Sequence, residues 1–506
     1  MSSNAEEKTS EVSPAAVKRC PSCGRLIGDV TECPYCHARV YKRISLKALF
    51  ILVALVLAGS GLSLYLVPYG QPNKYKISEL TELNNYWHVA IEGTVIGRPY
   101  YSASQISFDV SDGTGTIRVV LEPPGMDEWT KNPSNVPAIG DHVFVEGDAY
   151  VRGDSKKIYV TNAEWIRVSR SLPVAHLRVN DLVSPYHNFS YVNKKAYVTG
   201  VVVNLKKYAG GGINAIIIDP DFIVGLNSSP VPIWNESKQL PHYGLTVYIG
   251  GDHAALCKAQ EIVGNIRPLQ KITMLASITE YNGYLELIPA DFSTITTEEL
   301  WPYAVPIATI LGNFAEYSGK LVLVRGRINT AADGITKIGT SSVGYYITDD
   351  GTNKLEVFGP GMLDDLLYRD GYPAMYEEIL TLGAITEYSG IYETVLASYS
   401  CVLRNKTTTY ISSLSTAYHM TRVTVKITTT GSWTSTTYFC EMSGTVNGTA
   451  VTIRIFNVLN STVYNYTGVL LPPAGTYYVT GIYYTSGGNN YLYVTSCSNG
   501  YEMGPA

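Results

Sequence analysis

A chain of 506 residues is too long for one hydrophobic core and implies three to five units. Its apolar fraction of 45% excludes wholesale disorder, while only 16% charged residues and 40 tyrosines against 10 phenylalanines suit exposed β-structure. Residues 1–69 carry a formal net charge of +3 and the remainder −8, so the bulk lacks the basic excess that drives non-specific nucleic-acid affinity.

Residues 1–17 are polar and read as a disordered tail. Within 18–41, Cys20-Pro-Ser-Cys23 and Cys33-Pro-Tyr-Cys36 form two C-x-x-C knuckles. Four thiolates so placed supply the tetrahedral set that structural Zn2+ prefers, and a closed four-thiolate site leaves no position for catalysis. A thioredoxin-like redox pair would need a βαβ surround that this segment is too short to give. His37 is expected to stand beside the site without ligating. The knuckles resemble the short zinc ribbons at the N-termini of many archaeal proteins.

From Ala48 to Val67, within a helix expected over 46–67, twenty residues carry no charge, enough to cross a bilayer. Lys18, Arg19, Arg25, Arg39, Lys42, Arg43 and Lys47 precede the span, and only Lys74 and Lys76 follow it closely. The positive-inside rule then keeps the N-terminus in the cytoplasm and places the bulk outside the cell. Tyr65 and Tyr69 fit an outer aromatic belt, Pro68 ends the helix, and Gly59 with Ser63 forms a small-xxx-small pair. Seven N-x-[ST] sequons, at Asn188, Asn227, Asn235, Asn405, Asn447, Asn460 and Asn465, all follow the span and are candidate glycosylation sites.

The rest reads as repeated β-units over 75–170, 175–297, 304–404 and 410–500. In the first, strands begin at Trp87, Ile106, Thr116, His142 and Ile158, with a glycine (Gly93) in strand one and an Asp112–Gly115 turn. A short helix is expected around Met126–Trp129, between strands three and four. Gly200 and Gly326 mark the corresponding first strands of units two and three, and Met362–Tyr368 is expected as unit three's helix. Ile278-Thr-Glu-Tyr-Asn-Gly283 is nearly repeated as Ile385-Thr-Glu-Tyr-Ser-Gly390. Five strands with the irregular piece after the third resemble an OB-fold of the anticodon-binding type. Unit four lacks the first-strand glycine, leaving a β-sandwich as its alternative. The expected class is therefore mainly β: a small four-cysteine zinc ribbon, one transmembrane helix and three to four tandem OB-like barrels. This order, with its composition, resembles archaeal-type membrane and cell-surface proteins.

The resemblance implies binding rather than catalysis, since OB-folds take single-stranded nucleic acid or oligosaccharide on one face. Unit one offers Tyr100, Tyr101, Trp129, Tyr150 and Tyr159 beside Arg98, Arg118, Arg152, Lys156 and Lys157. Of these, Arg98, Tyr100, Tyr101, Arg118, Tyr150 and Tyr159 are the ligand-binding candidates. The main reading is a non-enzymatic membrane-anchored scaffold with protein partners. The alternative is a binder of nucleic acid or glycan. A haem chaperone, also a membrane-anchored OB-fold, is disfavoured because no histidine lies in the expected C-terminal motif. Metalloprotease, nucleophile-elbow and phosphate-loop motifs are absent. The pair Asp141-His142 reads as the entry to a strand, and Asp349-Asp350 and Asp364-Asp365 as solvated turns. Cys440 and Cys497 are candidates for a disulfide, and Cys257 and Cys401 for buried thiols.

Overall fold

A computed structural model describes residues 18–28, 30–40, 49–57, 72–131, 136–183, 187–208, 210–227, 244–329, 342–362, 373–435, 439–456, 474–494 and 503–505. The chain divides into two compact units, Met1–Pro72 and Asn73–Ala506. In the first, Lys18–Arg19 pairs antiparallel with Leu26–Ile27, and residues 49–57 are helical with Leu49, Phe50 and Leu55 exposed. Among the described residues no helix is long and apolar enough to cross a membrane. The rest of the expected span, 46–48 and 58–67, lies outside them.

The second unit holds four closed barrels, each of five strands. Barrel 1 is built from His88–Tyr101, Ile106–Ser111, Thr116–Leu121, His142–Arg152 and Ser155–Val160. Strand three runs parallel to strand five, and strand four closes antiparallel onto strand one, giving the order 1-2-3-5-4-1. This is the OB-fold connectivity. Barrel 2 repeats it with Lys194–Lys207, Ile213–Ile218, Gly244–Ile249, Gln270–Tyr281 and Tyr284–Glu299. Barrel 3 uses Leu321–Ile328, Val343–Thr348, Lys354–Gly359, Glu378–Tyr388 and Ile391–Leu396. Barrel 4 uses Arg422–Ser435, Phe439–Val446, Thr449–Phe456, Thr476–Ser486 and Asn489–Tyr493 in the same order, which removes the β-sandwich alternative.

Period-two alternation explains the walls. Val89, Ile91 and Val95 point into barrel 1, as Val423, Val425 and Ile427 point into barrel 4. The helix Gly125–Lys131 seals barrel 1 by driving Trp129 into the core, 6.4 Å from Phe108 between ring centroids. Trp129 is therefore a core residue rather than one of the exposed aromatics expected for a ligand face. In barrel 3, residues 363–368 of the expected helix lie outside the described residues.

Glycine sits where two strands crowd. A Cβ on Gly93 would stand 2.6 Å from the Ser111 carbonyl oxygen. Barrel 4 has Ile427 in its first strand and places the glycine across the sheet instead, where a Cβ on Gly444 would meet Ile427 Cγ2 at 2.7 Å. The repeated Tyr-x-Gly segments form tight turns between strands four and five, with Asn282 and Ser389 in the left-handed region ahead of Gly283 and Gly390.

Successive barrels are joined by buried polar contacts. Asp141, at the entry to strand four of barrel 1, accepts hydrogen bonds from Ala138 N (2.8 Å), Ser171 N (2.9 Å) and Arg170 Nη1 (2.6 Å). It also receives the Lys195 ammonium from the first strand of barrel 2. Glu377 stands at the same entry in barrel 3. It accepts from Ala374 N (3.1 Å), from Arg404 Nη1 (3.4 Å), and from Arg422 Nε (2.9 Å) in the first strand of barrel 4. Each acid thus takes the backbone N–H three residues before it, one base following its own barrel and one base of the next barrel. Barrel 2 carries Gln270 at this entry, bonded to Arg267 N and Glu299 Oε1 instead. Its junction with barrel 3 is made by Tyr399 Oη donating to Leu205 O (2.9 Å), Leu205 N to Ser400 Oγ (3.0 Å) and Cys401 Sγ to Val203 O (3.4 Å).

Candidate metal centre and ligand faces

The two knuckles have one design. Gly24 N donates to Cys20 O and His37 N to Cys33 O, both at 2.9 Å, while Cys20 N and Cys33 N reach Arg25 O and Ala38 O. Gly24 and His37 occupy matching left-handed positions. His37 is therefore a turn residue, its exposed ring 3.4 Å from Glu32. The four sulfurs lie within 4.8 Å of one another, with Cys20 and Cys33 buried beneath Cys23 and Cys36. Backbone N–H groups of Cys23 and Ser22 draw the Cys20 thiol down to about 6. Such a set fits one tetrahedral metal ion, which would hold the thiols as thiolates.

The first-barrel candidates separate into two groups. Arg98 lies over the Tyr248 ring (3.6 Å) and near Tyr281 (5.0 Å), with Glu286 Oε2 at 3.5 Å. Tyr101 stacks on His253 at 4.1 Å with the rings parallel, and Gly97 N donates to Asn193 Oδ1. Arg98 and Tyr101 thus belong to the junction of barrels 1 and 2. Burial raises the Tyr101 hydroxyl, pushes His253 down to about 3 and raises Glu286 against the pull of Arg98.

The other four remain on the outer surface. Tyr100 is exposed. Arg118 is held bidentate by Asp109 at 2.8 and 2.9 Å. Tyr150 contacts Tyr159 edge-on at 6.4 Å, and Tyr86, which the sequence reading missed, contacts Tyr150 at 6.3 Å. Lys157 lies opposite Tyr150 across the strand pair. Lys156 donates to the Ile77 carbonyl and Arg167 pairs with Glu146. Most basic neighbours of this aromatic platform are therefore engaged within the chain.

The tempting pair Asp141-His142 points two ways, Asp141 into the junction clamp and His142 toward Glu92 at 3.6 Å. Cys401 is a buried thiol pushed up to about 12 by burial, and Cys257 a half-buried one pushed up to about 11. Cys440 is buried, and its expected partner Cys497 lies outside the described residues. Among the sequons, Asn188, Asn405 and Asn447 are exposed and Asn227 half-buried, while Asn235, Asn460 and Asn465 lie outside the described residues.

No protein-family model matches the chain, and no curated protein matches it. Solved structures share only weak likeness. One is the p204 HINb domain, at 15% identity, 41% of this chain, 94% of that chain and a TM-score of 0.20. Another is a replication protein A heterotrimer bound to ssDNA, at 10% identity, 66% and 96% coverage and a TM-score of 0.21. A third is the Ifi202 HINa domain in complex with 20bp dsDNA, at 13% identity, 42% and 96% coverage and a TM-score of 0.16. At such TM-scores these likenesses carry no argument for this chain.

Proposed function

We propose that the chain is a non-enzymatic binding protein whose OB barrels engage an extended polar ligand through their outer faces. Chemistry is left available on the outside of the barrels and not within them. The barrel interiors are filled with apolar side chains; of the buried acids, Asp141 and Glu377 are held in junction clamps, Asp219 accepts from Asn180 N and Asp221 N, and Glu286 faces Arg98. Exposed tyrosines, by contrast, recur on the outside: Tyr86, Tyr100, Tyr281, Tyr388, Tyr410 and Tyr478. Amphipathic rings on a rigid β-surface suit ring stacking with a polymer.

The proposal includes a membrane anchor at 46–67, with the ribbon inside the cell and the barrels outside. It is supported by the twenty uncharged residues and the basic flank. The helical part, 49–57, also leaves its apolar side chains exposed. Zn2+ in the Cys20, Cys23, Cys33 and Cys36 site would fix the ribbon, which would offer a docking module to a cytoplasmic partner. Protease added to intact cells should digest the barrels and spare the ribbon. Equal protection of both halves would overturn the anchored arrangement.

Single-stranded nucleic acid is a second reading, favoured by the Tyr86–Tyr150–Tyr159 platform with Lys157 beside it. Retention of the full chain on an oligo(dT) column, falling steeply with salt, would establish it. Salt-independent passage would rule it out.

A further inference from the structure

The outer face shared by strands one and four has a counterpart in three barrels, fixed by a strand-four glycine. A Cβ on Gly147, Gly383 or Gly481 would meet the carbonyl oxygen of Tyr159, Val395 or Tyr493 on strand five at 2.5, 2.7 and 2.5 Å. Opposite these glycines stand Val89, Val322 and Val423. Counting three residues along strand one brings Glu92, Arg325 and Lys426 to one place. In barrel 1, Glu92 is closed off by ion pairs to Lys74 and His142. In barrel 3, Arg325 Nη2 is held by Glu378 Oε1 at 2.9 Å beside the Trp301 ring. In barrel 4, Lys426 is exposed and has no carboxylate partner among the described residues.

Around Lys426 lies an open cleft of about 660 Å³, lined by hydroxyls and rings with no acidic residue. Tyr478 faces Lys426 across the strand pair, and Tyr410 comes from the short strand Thr409–Ile411 that runs beside strand one. Both rings are exposed, at 48% and 79%. Thr424, Thr428, Thr445 and Asn447 line the cleft; Thr424 and Thr428 Oγ1 also face Thr480 and Thr476 Oγ1 at 2.7 and 3.3 Å, and Asn447 Nδ2 donates to Ser412 O at 2.7 Å. From 405 to 506 the sequence holds only Lys406, Arg422, Lys426 and Arg454 against Glu441 and Glu502. Arg422 is buried on Glu377, and Arg454 is held by Glu441.

We propose that this cleft binds an acidic oligosaccharide, with sugar rings against Tyr410 and Tyr478 and one carboxylate on the Lys426 ammonium. The assignment rests on the reading of the barrels as binding modules and names a ligand class for one of them. Threonine hydroxyls donate and accept at short range, matching a polyol, and aromatic rings take the apolar face of a pyranose. One lysine suits one carboxylate. A phosphodiester chain bears a charge at every unit and draws its affinity from several cations, which this barrel does not present.

The test is calorimetric titration of the detergent-solubilised full chain, produced in a host without N-glycosylation so that Asn447 is unmodified. Three probes are used: hexagalacturonate, its methyl-esterified neutral form, and a twenty-nucleotide oligo(dT). Hexagalacturonate is expected to bind the wild type more tightly than the neutral form. Lys426→Gln should weaken the acid by about tenfold, as loss of a charge-assisted contact does, and leave the neutral form unchanged. Tyr410→Ala, a substitution outside the barrel wall, should weaken both forms by about tenfold. The proposal is overturned if hexagalacturonate does not bind, or binds Lys426→Gln as tightly as the wild type. It is also overturned if oligo(dT) binds and loses its affinity on Lys426→Gln. Oligo(dT) bound with Lys426 irrelevant, and no saccharide bound, would sink this assignment while leaving the barrels as binding modules. If no probe binds, the binding reading of these faces falls with it.

Discussion

Lys195 and Asp141 meet across the boundary of barrels 1 and 2 with their charged groups withdrawn from water, at 3% and 0% side-chain exposure. Burial alone would raise the Asp141 carboxyl, but Lys195, two backbone N–H groups and Arg170 outweigh it and hold it below the usual carboxylate range. Lys195→Met leaves the buried Asp141 carboxylate with Arg170 as its remaining cation, and is expected to cost about 3 kcal/mol, the lower end for a broken buried pair. The double variant Asp141→Asn/Lys195→Met should cost less than the sum of the two single changes. Denaturant unfolding of the four proteins in a double-mutant cycle measures this. Additive losses would mean that the two groups do not act as a pair.

The same junction has a defined acid response. His253 lies buried against Tyr101, with its pKa near 3 against about 6.5 for a free imidazole. The unfolded chain takes this proton first, so His253 lowers stability as pH falls from about 6.5 toward about 3. Glu286 works in the opposite sense. Its raised pKa means that the folded state takes a proton first, so its contribution is lost as pH rises through the folded value. The useful comparison is therefore between wild type and His253→Phe. Between pH 6 and 4.5 the variant should lose stability less steeply, by about 1.4 kcal/mol per unit. Parallel pH profiles would show that His253 protonates freely in the folded chain.

Metal content tests the ribbon. One Zn2+ per chain is expected, released by Cys33→Ser or by a strong chelator, with loss of the antiparallel pairing of Lys18–Arg19 and Leu26–Ile27. The main unfolding transition of the barrels should stay in place, because they form a separate unit. A metal-free protein whose ribbon amides keep their protection would contradict the assignment.

Gly444 gives a packing test. An added methyl would meet Ile427 Cγ2 at 2.7 Å and Thr428 O at 3.0 Å, both in a closed barrel wall. Gly444→Ala should therefore destabilise barrel 4 by about 1–3 kcal/mol, the usual range for overpacking, read as a lower thermal midpoint. An unchanged midpoint would mean that the strands separate at little cost.

Strand periodicity and turn chemistry made the barrels legible in the sequence, and the spacing of the four N-terminal cysteines made the metal set legible. The fourth barrel was less legible because its close-approach glycine is Gly444 on strand two, while strand one carries Ile427 at that place. The junction clamps were hidden for a different reason. Asp141 and Lys195 are 54 positions apart and Glu377 and Arg422 are 45 apart, so no local pattern joins them. The signal that existed was Ala-x-x-acid at the entry to strand four, present as Ala138–Asp141 and Ala374–Glu377. Arg98 and Tyr101 looked like ligand residues because a cation beside aromatics has the same composition at a junction as at a binding face. Lys426 differs from the equivalent Glu92 and Arg325 through the ion pairs that close those two, a tertiary difference that no local sequence pattern carries.

Native-state hydrogen exchange at Ala138, Ser171 and Ala374, whose amides donate to the clamped acids, tests most directly whether Asp141 and Glu377 lock barrel 1 to barrel 2 and barrel 3 to barrel 4 and so leave only the outer faces for binding. Locked junctions should hold these amides until the barrels themselves unfold, with protection equal to that of the strand cores. Exchange at the rate of surface loops would mean that these junctions open while the barrels stay folded, and would contradict the clamps.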